Sequence, residues 1–333
     1  MRILTTGGAG FIGSDFVRYW LKKYPEDKII NLDLLTYAGN LENLREVENN
    51  PNYKFVKGDI GDAKSVNRLV KGMDLIVNFA AETHVDRSIA GSSDFIRTNV
   101  EGTRVLLEAA KNNGLIRFHH ISTDEVFGQL GPDDAPFTEK TSYDPRSPYA
   151  ASKAAADHLV RAYFHTYGLP ITISNCSNNY GPYQHPEKLI PLSITNILRG
   201  KKITLYGSGE NIRDWINVRD HNRGVEAIIK KGRIGETYCL GGSPAPGATA
   251  TKGGGEMTNL DLAKKILALI GKSETEIEFI ADRPGHDRRY AIDAAKARQE
   301  LGWRKEIDFE TGLRETIDWY KKNQKWWAKL IKR

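Results

Sequence analysis

Short apolar runs alternate with stretches of helical periodicity along the first half of the chain. Residues 2–6 (RILTT), 28–35 (KIINLDLL), 53–60 (YKFVKGDI), 74–81 (DLIVNFAA) and 117–123 (RFHHIST) read as strands. Most of these runs are near-continuously apolar rather than alternating, the pattern of strands covered on both faces. Helical patterns fill the gaps, from the Gly-rich turn after residue 6 to Leu21 and most clearly over 95–112 and 149–166. This alternation predicts an α/β protein with a doubly wound parallel sheet.

The pattern loosens after Gly181. Prolines punctuate 182–191, a helix follows to Leu198, and a short strand covers 203–206. Further helices are expected at 219–231, 258–271, 293–301 and 310–330. The chain is therefore expected to cross between two units. Residues 1–177 plus 214–240 form a dinucleotide-binding domain, and 178–213 plus 241–333 form a smaller C-terminal α/β substrate domain. Gly241–Gly255 (GGSPAPGATATKGGG) is of low complexity and reads as a loop.

Composition narrows the function classes. The chain has 333 residues and two cysteines, Cys176 and Cys239, which excludes a disulfide framework and a Cys-based zinc cluster. No apolar run approaches the ~18 residues of a membrane helix. The opening MRILTTGGAGFIG does not read as a signal peptide, so a cytoplasmic protein is expected. The net charge is +6, and Lys321–Arg333 carries six basic groups and no acid. The excess is thus terminal rather than spread along a face, which argues against a nucleic-acid partner. Trp326 and Trp327 in that segment are expected to pack on the core.

The first predicted strand runs into Gly7-Gly8-Ala9-Gly10-Phe11-Ile12-Gly13 and then a helix. Gly7 permits a tight turn, Gly10 lets backbone approach a pyrophosphate, and Gly13 brings helix and strand together. The helix N-terminus adds free N–H groups and a positive dipole end for the anion. Asp33 follows Gly13 by twenty residues at the end of the second strand, where a carboxylate bonds ribose hydroxyls and repels a 2′-phosphate. NAD is therefore favoured over NADP. Asp59 and Ile60, at the end of the third strand, are placed to reach the adenine.

Tyr149 and Lys153 stand one helical turn apart in YAASK, where an ammonium is expected to lower the phenol pKa and make it a base. Spacing alone does not single them out, because Tyr19/Lys23, Tyr24/Lys28 and Tyr53/Lys57 repeat it. Context does: the fifth strand ends in Ser122-Thr123, at the sheet edge where open α/β folds bind ligands. Asp124 and Glu125 follow directly. Such close carboxylates penalise joint ionisation, so one can stay protonated as an acid while the other acts as a base, as elimination of water requires. His119 and His120 alternate along a buried-looking strand and are read as packing residues; no metal site is assigned.

TTGGAGFIG, NFAA at 78–81, the Thr123–Tyr149–Lys153 set and SNNYGP at 177–182 together resemble the extended short-chain dehydrogenase/reductase family, over essentially the whole chain. The Asp124-Glu125 pair, with AETHVDRSI, PEKLIPL, IRDW and ADRPGHDRRYAID, resembles its sugar-nucleotide 4,6-dehydratase branch, which acts on dTDP-glucose. The resemblance implies tightly bound NAD, regenerated each turnover, and C4 oxidation by Tyr149 with Thr123 and Lys153. Glu125 then removes the C5 proton, Asp124 protonates the departing C6 hydroxyl, and hydride returns to C6. It also implies cofactor contacts at Phe11, Ile12, Ala80, Ala81, Asn99 and Asn179. Hexose or phosphate contacts fall on Thr83 and Asn178, and nucleotide contacts on Lys188, Leu189, Tyr206 and Asn259. Arg213, Asp282, Arg283 and His286 belong with the diphosphate and nucleotide end, and a homodimer through the helices at 95–112 and 149–166 is expected. The sequence departs from the pattern at Phe127, usually tyrosine, at Asn175, where arginine is common, at Asn217, and in the long 241–255 loop.

Four other functions fit parts of this pattern. A nucleotide-sugar 4-epimerase or a UDP-glucuronate decarboxylase needs no adjacent acid and base. A GDP-mannose 4,6-dehydratase normally uses NADP, which Asp33 disfavours. A non-catalytic NAD-sensing regulator would be expected to lose Tyr149 or Lys153.

Overall fold

The computed structural model describes residues 1–242, 255–282 and 284–331. Arg283, residues 243–254 of the low-complexity loop and the last two residues lie outside the described residues. The strands, in chain order, are β1 (Arg2–Thr6), β2 (Lys28–Asp33), β3 (Tyr53–Lys57), β4 (Leu75–Asn78), β5 (Arg117–Thr123) and β6 (Ile171–Cys176). They continue as β7 (Asn178–Tyr180), β8 (Ile203–Tyr206), β9 (Ile212–Asn217), β10 (Thr237–Leu240), β11 (Glu256–Thr258) and β12 (Ile277–Ile280). Seven form one all-parallel sheet in the order β10-β6-β5-β4-β1-β2-β3, the doubly wound arrangement. Strand order reverses between β1 and β4, and ligands bind outside the strand ends at such a switch point.

Both faces of this sheet are covered, as the apolar strands require. Phe16, Val17 and Trp20 of helix Phe11–Lys23 pack with Val225, Ile228 and Ile229 of helix Val218–Lys231 on one side. Leu106, Leu107 and Ala110 of Thr103–Asn112 pack with Val160 and Tyr163 of Pro148–Tyr167 on the other. The second half adds a three-stranded sheet, β11-β9-β7, and a parallel pair, β12-β8. A third core gathers Ile190, Ile194 and Leu262 with Leu313, Trp326 and Trp327. The terminal tryptophans pack as expected, and their ring N–H groups donate to Asn43 Oδ1 and the Tyr320 carbonyl.

Three expectations need correction. Strand β6 is missing from the expected set, although ITISNC alternates Ile with Thr, Ser and Asn as a strand with one polar face would. All six residues are nevertheless buried, since Thr172 and Ser174 bond the His119 ring and Asn175 donates to the Thr123 carbonyl. The helix expected over 310–330 is two, Phe309–Lys322 and Gln324–Ile331, broken where the Asn323 side chain caps the Trp319 carbonyl at 2.8 Å. The helix expected at 293–301 shrinks to a π-helical turn, Ala297–Leu301.

Candidate active site

A cleft opens along the carboxyl ends of the central strands, between the glycine loop and the 177–188 segment. On the cofactor side, Gly7 takes φ +69°, and a Cβ there would sit 2.6 Å from the Ala80 nitrogen. A Cβ on Gly13 would sit 2.4 Å from the Gly7 carbonyl. A Cβ on Gly10 would meet only that carbonyl, at 3.3 Å, and otherwise enter the cleft, so this glycine keeps the cradle open. Phe11, Ile12 and Gly13 line the same stretch at the start of their helix, whose first N–H groups lack helical partners. The cradle therefore fits a pyrophosphate.

Asp33 ends β2 at the cleft wall. Its two oxygens accept from the backbone N–H groups of Ala9 and Leu35, each at 2.8 Å, so it braces the glycine loop as well as facing the cleft. Burial pushes its pKa up while those two bonds pull it down. Asp59, Ile60, Ala80 and Ala81 line the wall beyond, with Asp59 paired to Arg97 at 3.2 Å. Asn99 does not line the cleft. It sits behind it, receiving the Glu82 N–H and donating to the Glu82 carbonyl and Ser152 Oγ, and thus holds the loop after β4 in place.

The reactive residues converge from β5 and one helix. Ser147 caps helix Pro148–Tyr167 by accepting from Ala150 N–H at 3.1 Å, and Pro148 starts it, which puts Tyr149 in the first turn and Lys153 in the second. Thr123, Asp124, Glu125, Tyr149 and Lys153 all line the cleft. The Thr123 hydroxyl hydrogen-bonds the Tyr149 phenol and lies 3.3 Å from Asp124 Oδ1. Asp124 is 1% exposed, and burial, reinforced by the charge of Glu125, pushes its pKa well above the carboxylate range. The two neighbours thus differ in setting: Asp124 is enclosed and Glu125 is more accessible.

The expected effect of Lys153 on Tyr149 is not what the structure holds. Burial, then Glu125, pushes the phenol well above 10, opposed by the Thr123 bond. The Lys153 amine instead donates to the Ile121 carbonyl at 2.7 Å and lies 3.3 Å from His120 Nε2; burial lowers its pKa to about 8.

The substrate-side residues divide. Thr83, Asn178, Asn179 and Lys188 line the cleft, and Lys188 Nζ donates to the Thr83 carbonyl at 2.9 Å. Leu189 begins helix Leu189–Leu198 just beyond. Tyr206 ends β8 with its hydroxyl 3.3 Å from Asp86, and its ring edges onto His286, which pairs with Asp282 at 2.6 Å. Arg213 is buried on β9 over the Tyr290 ring, at 4.3 Å, and donates to the Asp287 carbonyl. Asn259 is buried at the start of its helix and anchored by its own N–H on the Asn211 carbonyl. Of the neighbouring arginines, Arg289 holds Glu256 and the 131–134 loop, while Arg288 pairs with Glu210 at the surface.

Several residues went unnoticed in the sequence. Glu82, Cys176, Gln184, His185 and Glu187 line the cleft, and Tyr290 lies close enough to Glu125 for its charge to act on the phenol. Glu187 and Tyr290 stand inside PEKLIPL and ADRPGHDRRYAID, so those motifs carried the signal. Among the described residues no group of three or more metal-ligating side chains forms, and no helix is long and apolar enough to cross a membrane.

The doubly wound sheet, the glycine cradle with Asp33 and the Thr–Tyr–Lys set define the class: an extended short-chain dehydrogenase/reductase. Within it, the model of the family described as GDP-mannose 4,6 dehydratase matches residues 4–316, and the chain belongs to that family. Among curated relatives, dTDP-glucose 4,6-dehydratases of Escherichia coli and Mycobacterium tuberculosis are 48% and 50% identical, each match covering 99% of this chain and 96% of theirs. The structure of the Streptomyces venezuelae dTDP-glucose 4,6-dehydratase, solved with NAD bound, is 49% identical with a TM-score of 0.94, covering 99% of this chain and 100% of that one. A UDP-glucose 4-epimerase of Thermotoga maritima is more distant, at 28% identity and a TM-score of 0.87 over 97% of this chain and 100% of that one.

Proposed function

We infer that the protein is an NAD-dependent lyase that converts dTDP-glucose into dTDP-4-keto-6-deoxyglucose and water. The observation that carries this reading is the carboxyl pair Asp124-Glu125 beside Tyr149, with Asp124 so enclosed that burial favours its acid form. An epimerase on the same fold has no use for that acid. When bound, NAD supplies the hydride acceptor for C4 and the donor for C6, and ends each turnover as it began.

The chain's own residues move the protons. Tyr149 takes the C4 hydroxyl proton as its phenolate, a form that burial disfavours and that the positive charges of Lys153 and of bound NAD would favour, with Thr123 sharing that oxygen. The 4-keto group acidifies C5, whose proton Glu125 removes. Asp124 gives its proton to the C6 hydroxyl, which leaves as water. Glu125 then returns a proton to C5, and the proton held by Tyr149 restores Asp124 through solvent.

Gly7, Gly10, Phe11, Ile12, Gly13, Asp33, Asp59, Ile60, Ala80, Ala81 and Asn179 are assigned to the cofactor, with Asn99 acting through Glu82. Thr83, Asn178, Lys188, Leu189, Tyr206, Arg213, Asn259, Asp282 and His286 are assigned to the sugar nucleotide. Residues 1–177 plus 214–240 are read as the NAD-binding domain and the remainder as the substrate domain. The protein is read as a cytoplasmic homodimer without a nucleic-acid partner.

The test is incubation with dTDP-glucose in deuterated water without added NAD. Mass spectrometry is expected to find loss of one water and gain of one solvent deuterium. A product that keeps its oxygen, with the enzyme holding NAD, refutes the dehydratase reading.

A further inference from the structure

Behind Lys153, away from the cleft, helix Pro148–Tyr167 carries one more charged group that the proposed mechanism leaves unused. Asp157 stands one turn beyond Lys153 and is fully enclosed, at 0% exposure. Its Oδ2 accepts from Ser122 Oγ and Tyr143 Oη, both at 2.8 Å, and from Asn175 Nδ2 at 3.4 Å. Its Oδ1 has no hydrogen-bond partner among the described residues and lies 3.5 Å from His120 Nε2. That same nitrogen is 3.3 Å from Lys153 Nζ.

The hydrogen-bond network assigns the His120 tautomer. Thr6 Oγ1 donates to Asn78 Oδ1 at 2.6 Å, so the Asn78 amide nitrogen faces His120 Nδ1, at 3.2 Å. Nδ1 therefore accepts and Nε2 carries the ring proton, aimed at the gap between Asp157 and Lys153. The ring is neutral, since burial, with the nearby Lys153 charge, drives its pKa well down.

A buried carboxylate met only by neutral donors is costly, and a countercharge offsets that cost. Lys153 on the preceding turn and Arg161 on the following one face Asp157 from its own helix; Tyr143 and His120 face it from the loop and from β5. Around Lys153 the facing groups are Asp157, His120 of β5 and Cys176 of β6. Asp157 is the acid among them. It opposes the burial that lowers the lysine.

We propose that Asp157 is the positioning residue of the reactive centre: acting across the His120 ring, its carboxylate keeps Lys153 charged and in place, and so sets the upper pH limit of the reaction. The proposal rests on the reading that a charged Lys153 assists Tyr149. Removing the carboxylate lowers the Lys153 titration by roughly one to three pH units, the range for the loss of a nearby opposite charge.

The test compares wild-type holoenzyme with Asp157→Asn, Asp157→Glu and Asp157→Ser. Turnover of dTDP-glucose is followed against pH. Lys153 is titrated separately by NMR of isotope-labelled lysine side chains, its resonance assigned by its disappearance in Lys153→Met. In Asp157→Asn both the alkaline limb and the Lys153 midpoint are expected to move down by about one unit or more, and Asp157→Glu restores most of the shift. An unmoved midpoint with activity reduced equally at every pH overturns the proposal, leaving Asp157 a packing residue. If Asp157→Asn does not fold, Asp157→Ser, which also removes the charge and keeps a hydroxyl for the Ser122 and Tyr143 side chains, decides: a lowered Lys153 midpoint supports the proposal and an unmoved one overturns it. If the wild type itself does not dehydrate the substrate, the functional reading has failed, and the Lys153 titration still decides the role of Asp157.

Discussion

Replacing Asp124 by Asn separates acid catalysis from everything else in the site. The amide fills the same volume, Oδ1 can still lie beside the Thr123 hydroxyl, and the position stays enclosed at the end of β5. What vanishes is the carboxyl proton, which burial favours and which Asp124, on the wall of the cleft, would give to substrate. A general acid contributes roughly 10²–10⁴-fold, so water loss is expected to slow by about 3–5 kcal/mol of barrier at 1.36 kcal/mol per tenfold. Oxidation at C4 and proton removal at C5 use other residues and are expected to continue. In deuterated water the variant should therefore accumulate sugar nucleotide that has taken up deuterium while retaining its C6 oxygen. Stability should move the other way. A carboxyl whose folded pKa is raised binds its proton more tightly folded than unfolded, so its ionisation destabilises the fold as pH rises from the unfolded value through the folded one. The neutral amide removes that penalty, and Asp124→Asn is expected to melt no lower than the wild type at pH 7. Water loss at the wild-type rate would refute the acid assignment, and a fall in melting temperature would refute the argument that Asp124 is held protonated against the fold.

Glu125→Gln should abolish C5 deuterium uptake while C4 oxidation, followed by the absorbance of reduced nicotinamide, partly persists; loss of substrate binding instead would contradict its role as base. Lys153→Met should abolish hydride transfer, and full activity there would remove the lysine from the mechanism. Gly13→Ala puts a Cβ 2.4 Å from the Gly7 carbonyl, so the purified variant should release far less NAD on acid denaturation than the wild type; equal yields would argue against the cradle. His221 is buried, and burial lowers its pKa to about 4 against the opposing effect of the Asn222 side chain. The unfolded chain binds that proton near 6.5 and the folded one does not, so stability falls as pH drops from about 6.5 towards 4. His221→Phe should flatten that part of the melting curve against pH, and an unchanged slope would count against it.

How much of this was legible in the sequence depended on whether a residue's role follows from local pattern or from what lies across the fold. Strands β1, β2 and β4 announce themselves because a strand buried on both faces must be largely apolar along its length. In strand β6 the alternation is legible but the burial of its polar face is not, because those side chains find partners only after folding, in His119 and the Thr123 carbonyl. The glycine cradle and the Asp124-Glu125 pair are contiguous and were readable. The environment of Lys153 was not, since it is assembled from β5, β6 and the loop holding Tyr143.

The tyrosine–lysine spacing makes the distinction sharpest. At Tyr19 and Lys23 the same interval yields an actual hydrogen bond of 3.0 Å, yet both groups are also tied to Glu226 at 2.8 Å or closer, on a surface joint between two helices. Burial and the Glu226 carboxylate raise that phenol, and neither Tyr19 nor Lys23 lines the cleft described above, so the contact serves as a staple between helices Phe11–Lys23 and Val218–Lys231. At Tyr149 and Lys153 the partners are instead Thr123 on one side and Ile121 with His120 on the other, and both side chains are closed off from solvent except through the cleft. A proton held there has few places to go, and a charge created there is weakly screened, so each neighbouring group acts at nearly its full strength. The interval in sequence supplies the geometry of a turn, whereas reactivity comes from the walls that β5 and β6 place around it.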